Sequence, residues 1–180
     1  TLAEDPISGY RHGEGYRLAL SEKGDRGLLE YVEQAGLRYG LATLDSLVRT
    51  DELLPGLQIL DAPRFPIRGI IEGYYGPPWS EEDRRRLVDL LSYYKMNAFF
   101  YGPKDDAFHR HRWRDRYPDR ELAALTDLVR HVRSRDMAFW YTIGPGLSMS
   151  YSSEADNGAL DSKLTQIAEL GVRCYGLLFD

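Results

Sequence analysis

The sequence predicts an α/β fold. Residues 65–180 read as the first four βα units of a (β/α)8 TIM barrel, incomplete, and residues 1–64 as the C-terminal part of a small α+β domain. Three observations lead there. From Ile67 onward short apolar runs alternate with amphipathic helical stretches, with strand onsets at 67, 98, 138 and 174, the spacing of consecutive βα units. The runs are almost uniformly apolar, as in a parallel sheet covered by helices. Polar, site-like sequence follows every strand. A doubly wound sheet fits the same count, but it gathers its ligand at one switch point, whereas a barrel uses every strand end.

In the first part of the chain, Gly15–Leu20 alternates apolar and polar residues as a half-buried strand does. Glu22-Lys23-Gly24-Asp25 is a turn signal, and Leu28–Glu33 the partner strand. Leu37, Leu41, Leu44, Leu47 and Val48 recur at helical steps, while Gly36 and Gly40 weaken that helix and allow close packing on the sheet. Pro55-Gly56 ends it, Leu57–Leu60 is a short extended piece, and 61–66 reads as a stiff linker.

The second part repeats strand, loop, helix. The strand at 67–71 stops at Glu72-Gly73, and an aromatic, Gly- and Pro-rich loop leads to Ser80-Glu81-Glu82-Asp83, a capping-box-like helix start with acids in the first turn. Leu87, Leu90, Leu91 and Tyr94 are the expected buried stripe of that helix. Ala98–Tyr101 is the next strand, ending at Gly102-Pro103-Lys104-Asp105-Asp106. Asp119 is expected to cap a helix burying Leu122, Leu125, Val129 and Val132. Ala138–Ile143 runs into Gly144-Pro145-Gly146. A helix from about Asn157, with Leu160, Leu164 and Ile167 inward, stops at Gly171, and Cys174–Phe179 leads to Asp180. Four units are half of an eightfold barrel with open strand edges, so the chain is expected to be a fragment whose remaining barrel lies elsewhere. A first residue of Thr1 rather than Met points the same way.

The net charge of -5 argues against a nucleic-acid partner. No apolar run reaches the ~18 residues that a membrane span needs. Cys174, the lone cysteine, is read as a buried inert thiol. The strand ends would bring Glu72-Gly73, Lys104-Asp105-Asp106, Gly144-Pro145-Gly146 and Asp180 to one face. Carboxylates accept from hydroxyls, an ammonium donates, and glycine permits close main-chain approach, which together suit a polyhydroxylated ligand. Tyr74, Tyr75, Tyr101 and Tyr151 could offer flat faces to a sugar ring. The bland readings stand beside these. Asp105-Asp106 suits a turn, Glu72 suits bonding to loop amides, and His109–Arg116 reads as a solvated stretch with Trp113 packed inward. A metal-dependent hydrolase built on Asp105, Asp106, His109 and His111 is disfavoured, because histidines two apart do not match the i, i+4 helical pairing.

Arg68-Gly-Ile-Ile-Glu-Gly-Tyr-Tyr-Gly-Pro-Pro-Trp79, Met96–Asp106 with His111-Arg-Trp-Arg114, Gly144-Pro-Gly-Leu147 and Tyr175-Gly-Leu-Leu-Phe-Asp180 resemble, in order, glycoside hydrolase family 84. These are the β-N-acetylglucosaminidases that include protein O-GlcNAcases and bacterial enzymes called hyaluronidases. The resemblance implies retaining, substrate-assisted hydrolysis of terminal β-linked N-acetylglucosamine through an oxazoline, with no cofactor and no metal. It implies that Asp180 orients the acetamido group and that the next residue would be the general acid/base. It implies that the main chain of Gly73 and the side chain of Lys104 contact the sugar. The implied partner is an N-acetylglucosamine-bearing glycan or glycoprotein; a non-catalytic glycan-binding barrel is the alternative. Nineteen arginines against four lysines suggest a GC-rich bacterial genome, and the expectation leans to secretion.

Overall fold

The computed structural model describes residues 13–50, 55–146 and 148–179. Backbone contacts group these into two compact units, one drawn from Thr1–Pro66 and Tyr93–Lys95, the other from Ile67–Ser92 and Met96–Asp180.

In the first unit, β1 (Tyr16–Leu20), β2 (Gly27–Tyr31) and β3 (Gln58–Asp61) form an antiparallel sheet in the order β2-β1-β3 beside α1 (Gln34–Arg49). The alternation in β1 is realised, with Tyr16 and Leu18 buried on the helix side. Helix α1 approaches through Gly36, Tyr39 and Gly40. A Cβ on Gly36 would lie 2.4 Å from the Gly15 carbonyl oxygen, and one on Gly40 2.4 Å from the Leu29 side chain. The two glycines are therefore the contact line itself. This rotates the helix away from the expected leucine stripe: Leu44 and Leu47 pack partly, whereas Leu41 and Val48 are exposed.

In the second unit, β4 (Gly69–Glu72), β5 (Ala98–Tyr101), β6 (Ala138–Ile143) and β7 (Cys174–Leu177) form a parallel sheet in sequence order. In register, Glu72 lies opposite Tyr101, which lies opposite Tyr141. Helices α2 (Glu81–Tyr93), α3 (Asp119–Ser134) and α4 (Glu154–Glu169) connect the strands. The core joins Phe99, Tyr101, Phe139 and Tyr141 of the strands to Val88, Val129, Val132 and Ile167 of the helices. Successive strand residues alternate faces, and the other face carries Ile71, Phe100 and Trp140, none of them buried. Phe100 and Trp140 stack there with ring centroids 5.0 Å apart.

Helix boundaries follow local hydrogen bonding. Ser80 Oγ accepts from the Asp83 amide at 3.1 Å, and the Ser80 hydroxyl donates to the Asp83 carboxylate at 2.6 Å. Ser153 accepts from the Asp156 amide, so α4 begins at Glu154, three residues before the expected start. Asp119 is the first helical residue of α3 rather than its cap; Pro118 holds that position, with extended backbone. Gly171, at φ +88, closes the end of α4 as expected. In α2 the buried residues are Val88 and Leu91, while Leu90 and Tyr94 are exposed. Of the expected stripe, Leu91 is buried and Leu87 packs against the core, whereas Val88 rather than Leu90 faces the sheet. Cys174 is only half-buried, against expectation.

Candidate active site

The ends of β4 and β5 are tied together beyond the last ladder pair. The Gly102 amide donates to the Glu72 carbonyl and the Lys104 amide to the Tyr74 carbonyl, each at 3.2 Å. Gly73 and Lys104 therefore stand on one rim. The nearest atoms to a Cβ built on Gly73 would all belong to the Ile71 side chain, the first at 3.2 Å. Lys104 is buried to 9% exposure. The end of β7 joins the rim through the Leu178 amide, which donates to the Ile143 carbonyl at 2.8 Å. Asp180 lies outside the described residues.

Behind this rim a fully buried carboxylate organises the loop after β4. Glu72 accepts from the Trp79 amide at 3.2 Å and takes a two-pronged ion pair from Arg84, with both contacts at 2.8 Å. The Arg84 guanidinium also lies 5.2 Å from the Tyr101 ring centre. Trp79 and Tyr74 contact each other across the loop, centroids 5.3 Å apart. Glu72 thus accepts a loop amide, as the bland reading held, and also the guanidinium of the next helix, which sequence reasoning missed.

Asp106 is the second organiser. One carboxylate oxygen accepts from the Tyr101 and Tyr117 hydroxyls at 2.8 and 2.7 Å. The other accepts from the Phe108 and His109 amides at 2.8 and 3.3 Å, the expected turn geometry. Burial first, with the Asp106 charge adding, raises the Tyr101 hydroxyl well above the ordinary tyrosine range and keeps it a neutral donor. Tyr101 is therefore a core residue that faces the helices, not the sheet face that carries Ile71 and Phe100. Tyr74 is half-buried, and Tyr75 and Tyr151 are exposed. A cavity of about 300 Å³ opens on the helix side, lined by Arg84, Tyr101, Asp106 and Phe108 among others. Tyr101 and Asp106 there are already bonded to each other.

Three polar residues of α4 clasp the segment after β5. Asp156 takes a paired contact from Arg114 at 2.7 Å, and this guanidinium with the Ser150 amide holds its carboxyl down at about 2. Lys163 donates to the Phe108 carbonyl at 2.9 Å, and Gln166 bonds both the amide and the carbonyl of Tyr117. Their signal was present in the sequence: Asp156, Leu160, Lys163 and Ile167 follow helical core spacing, with charged residues where apolar ones belong. Within the clasped segment Trp113 packs inward as expected, but His109 is wholly buried, which corrects its reading as part of a solvated stretch. Among the described residues no three His, Cys, Asp or Glu side chains meet as a metal-ligand set.

The sequence model of a family described as beta-N-acetylglucosaminidase matches residues 68–180, the whole of the second unit's strand-and-loop series. The chain belongs to glycoside hydrolase family 84. It is 39% identical over 119 residues to protein O-GlcNAcase of Rattus norvegicus, covering 66% of this chain and 13% of the rat protein. It is 34% identical over 116 residues to beta-hexosaminidase of Vibrio furnissii, covering 63% of this chain and 18% of that one. The solved structure of CpGH84B superposes with a TM-score of 0.85 at 32% identity, covering 100% of this chain and 32% of that one. The chain thus spans less than a third of these relatives, which are named as glycoside hydrolases. No helix among the described residues is long and apolar enough to cross a membrane.

Proposed function

We propose that the parent protein hydrolyses terminal β-linked N-acetylglucosamine with retention, through an oxazoline formed by the sugar's own acetamido group, and that residues 67–180 are the first half of its TIM barrel. The observation that carries this reading is the joined rim of β4 and β5, with the Gly73 main chain and the Lys104 side chain at the ends of neighbouring parallel strands. A barrel enzyme builds its site from such C-terminal strand ends. Glycine lets a hydroxyl approach the main chain, and lysine donates to a second.

In the proposed reaction the acetamido oxygen attacks the anomeric carbon as the bond to the leaving oxygen breaks, and a proton passes to that oxygen from the residue after Asp180. Asp180, ionised, accepts the acetamide N–H, holds the amide oxygen near the reacting carbon and stabilises the charge developing on nitrogen. Water then opens the oxazoline, the same acid/base taking its proton.

The test is Asp180→Asn in the full-length parent, assayed on aryl N-acetylglucosaminides of differing leaving-group pKa. Losing a stabilisation comparable to one oxyanion-hole donor should lower kcat roughly 100- to 1000-fold. Because Asp180 is not the proton donor, the loss should be equal for good and poor leaving groups. Rescue by an activated leaving group would overturn the assignment.

A further inference from the structure

His109 is a functional group at the rim that the proposed reaction does not use. Its Nδ1 lies 2.7 Å from the Thr142 carbonyl oxygen, which can only accept, so Nδ1 carries the proton and Nε2 of the neutral ring is an acceptor. That Nε2 is buried and has no hydrogen-bond partner, an unfavourable condition unless a donor meets it. Burial lowers the imidazole's pKa; the Thr142 carbonyl and Asp106 oppose this, and the Lys104 and Arg110 charges reinforce it. The ring is thus held neutral, with its lone pair available.

Two glycines mark where the lone pair looks. A Cβ on Gly102 would lie 3.3 Å from His109 Cε1 and 3.6 Å from Nε2, and one on Gly144 would lie 3.8 Å from Nε2. These residues directly follow β5 and β6, on the face that carries Thr142 rather than the helix-covered face of Tyr101 and Tyr141. The Thr142 hydroxyl, which donates to the Tyr101 carbonyl, takes the Gly102 side, 2.2 Å from that Cβ position, so the acceptor has its open approach at the end of β6, beside Gly144. Nε2 only accepts, so the group that meets it must donate, as a hydroxyl does.

We propose that His109 is a positioning residue whose Nε2 accepts a hydrogen bond from one O–H group held beside Gly144. This rests on the glycosidase reading of the strand ends. The O–H belongs either to an internal water or to the bound sugar.

The test uses the full-length parent with ¹⁵N-labelled histidine, without and with N-acetylglucosamine, alongside steady-state kinetics of His109→Asn. The asparagine amide keeps a donor for the Thr142 carbonyl and deletes the Nε2 acceptor. We expect KM for an aryl N-acetylglucosaminide to rise roughly tenfold, the worth of about one hydrogen bond, with kcat changed less than about threefold. An Nε2 resonance already at a hydrogen-bonded position in the ligand-free protein, and unmoved by the sugar, assigns the donor as water. A resonance that moves there only with the sugar assigns it as a ligand hydroxyl. An Nε2 resonance at the free-acceptor position in both states overturns the proposal, and needs no variant to fold. So does a well-folded His109→Asn enzyme with wild-type KM. If the wild-type parent cleaves no N-acetylglucosaminide, the glycosidase reading falls, while the ligand-free resonance still decides whether His109 holds an O–H group.

Discussion

Lys163 illustrates how a single residue can be functional for the fold and costly to it. Its ammonium is fully buried, bonds the Phe108 carbonyl, and lies 4.3 Å from the Tyr117 ring centre. Burial drives its pKa from 10.5 down to about 8, against the pull of Asp106 and Asp115. Between these two values the unfolded chain holds the proton and the folded one has released it. Stability should therefore rise with pH from about 8 toward 10.5, and below about 8 the charged lysine remains a constant penalty. Tyrosines titrate at the top of that window, so the comparison needed is wild type against Lys163→Met. Urea midpoints of the full-length parent across the window should climb more steeply in the wild type. Equal slopes would show that Lys163 is not depressed.

At the scale of elements, the loop after β4 and the start of α2 are locked by one pair of charges. Glu72 is fully buried and Arg84 nearly so, with the two-pronged geometry that favours arginine over lysine. Removing one member leaves the other charge buried without its partner, which costs about 3–5 kcal/mol. Replacing both by apolar residues of similar volume costs much less. Arg84→Met alone should thus destabilise the parent more than Glu72→Met with Arg84→Met, read as unfolding midpoints. A double variant at least as unstable as the single would indicate that the Trp79 amide contact, rather than the ion pair, governs the loop. Glycine acts at this scale too: a Cβ on Gly69 would fall 1.9 Å from the Ala98 carbonyl oxygen, so only glycine lets β4 approach β5 there.

For the molecule as a whole, the second unit's sheet is covered by helices on one face. Ile71, Leu177 and Phe179 are exposed at 52%, 45% and 60%, and β4 and β7 each have one strand neighbour among the described residues. Apolar faces and open edges of this kind recruit other chains. Expressed alone, residues 1–180 should self-associate, with a scattering mass that grows with concentration. They should also leave a chromogenic N-acetylglucosaminide uncleaved. A monodisperse monomer would mean that these surfaces are closed without further chain, and turnover with contaminants excluded would overturn the proposed need for the rest of the barrel.

The sequence by itself determined the strand-loop-helix grammar of 67–180 and the positions of β4 to β7, because apolar runs punctuated by Gly and Pro are local signals; the family was legible separately, in the resemblance of its four ordered motifs. It also marked Gly73 and Lys104 as rim residues, since a strand's end is visible where its apolar run stops. What faces what was decided only by tertiary structure. Leu90 and Tyr94 fit the helical period of α2, yet packing turned Val88 inward; Tyr101 looked like a sugar platform, yet the pleat sent its hydroxyl to Asp106. His109 read as part of a solvated stretch, and Lys163 stood on the core spacing of α4 without showing what it would bond, since burial of a titratable side chain depends on partners far away in sequence. The Thr142 carbonyl lies 33 residues from His109 and the Phe108 carbonyl 55 from Lys163. Such partners compensate a buried polar group only once the fold has brought them together, and no periodicity in the chain records them.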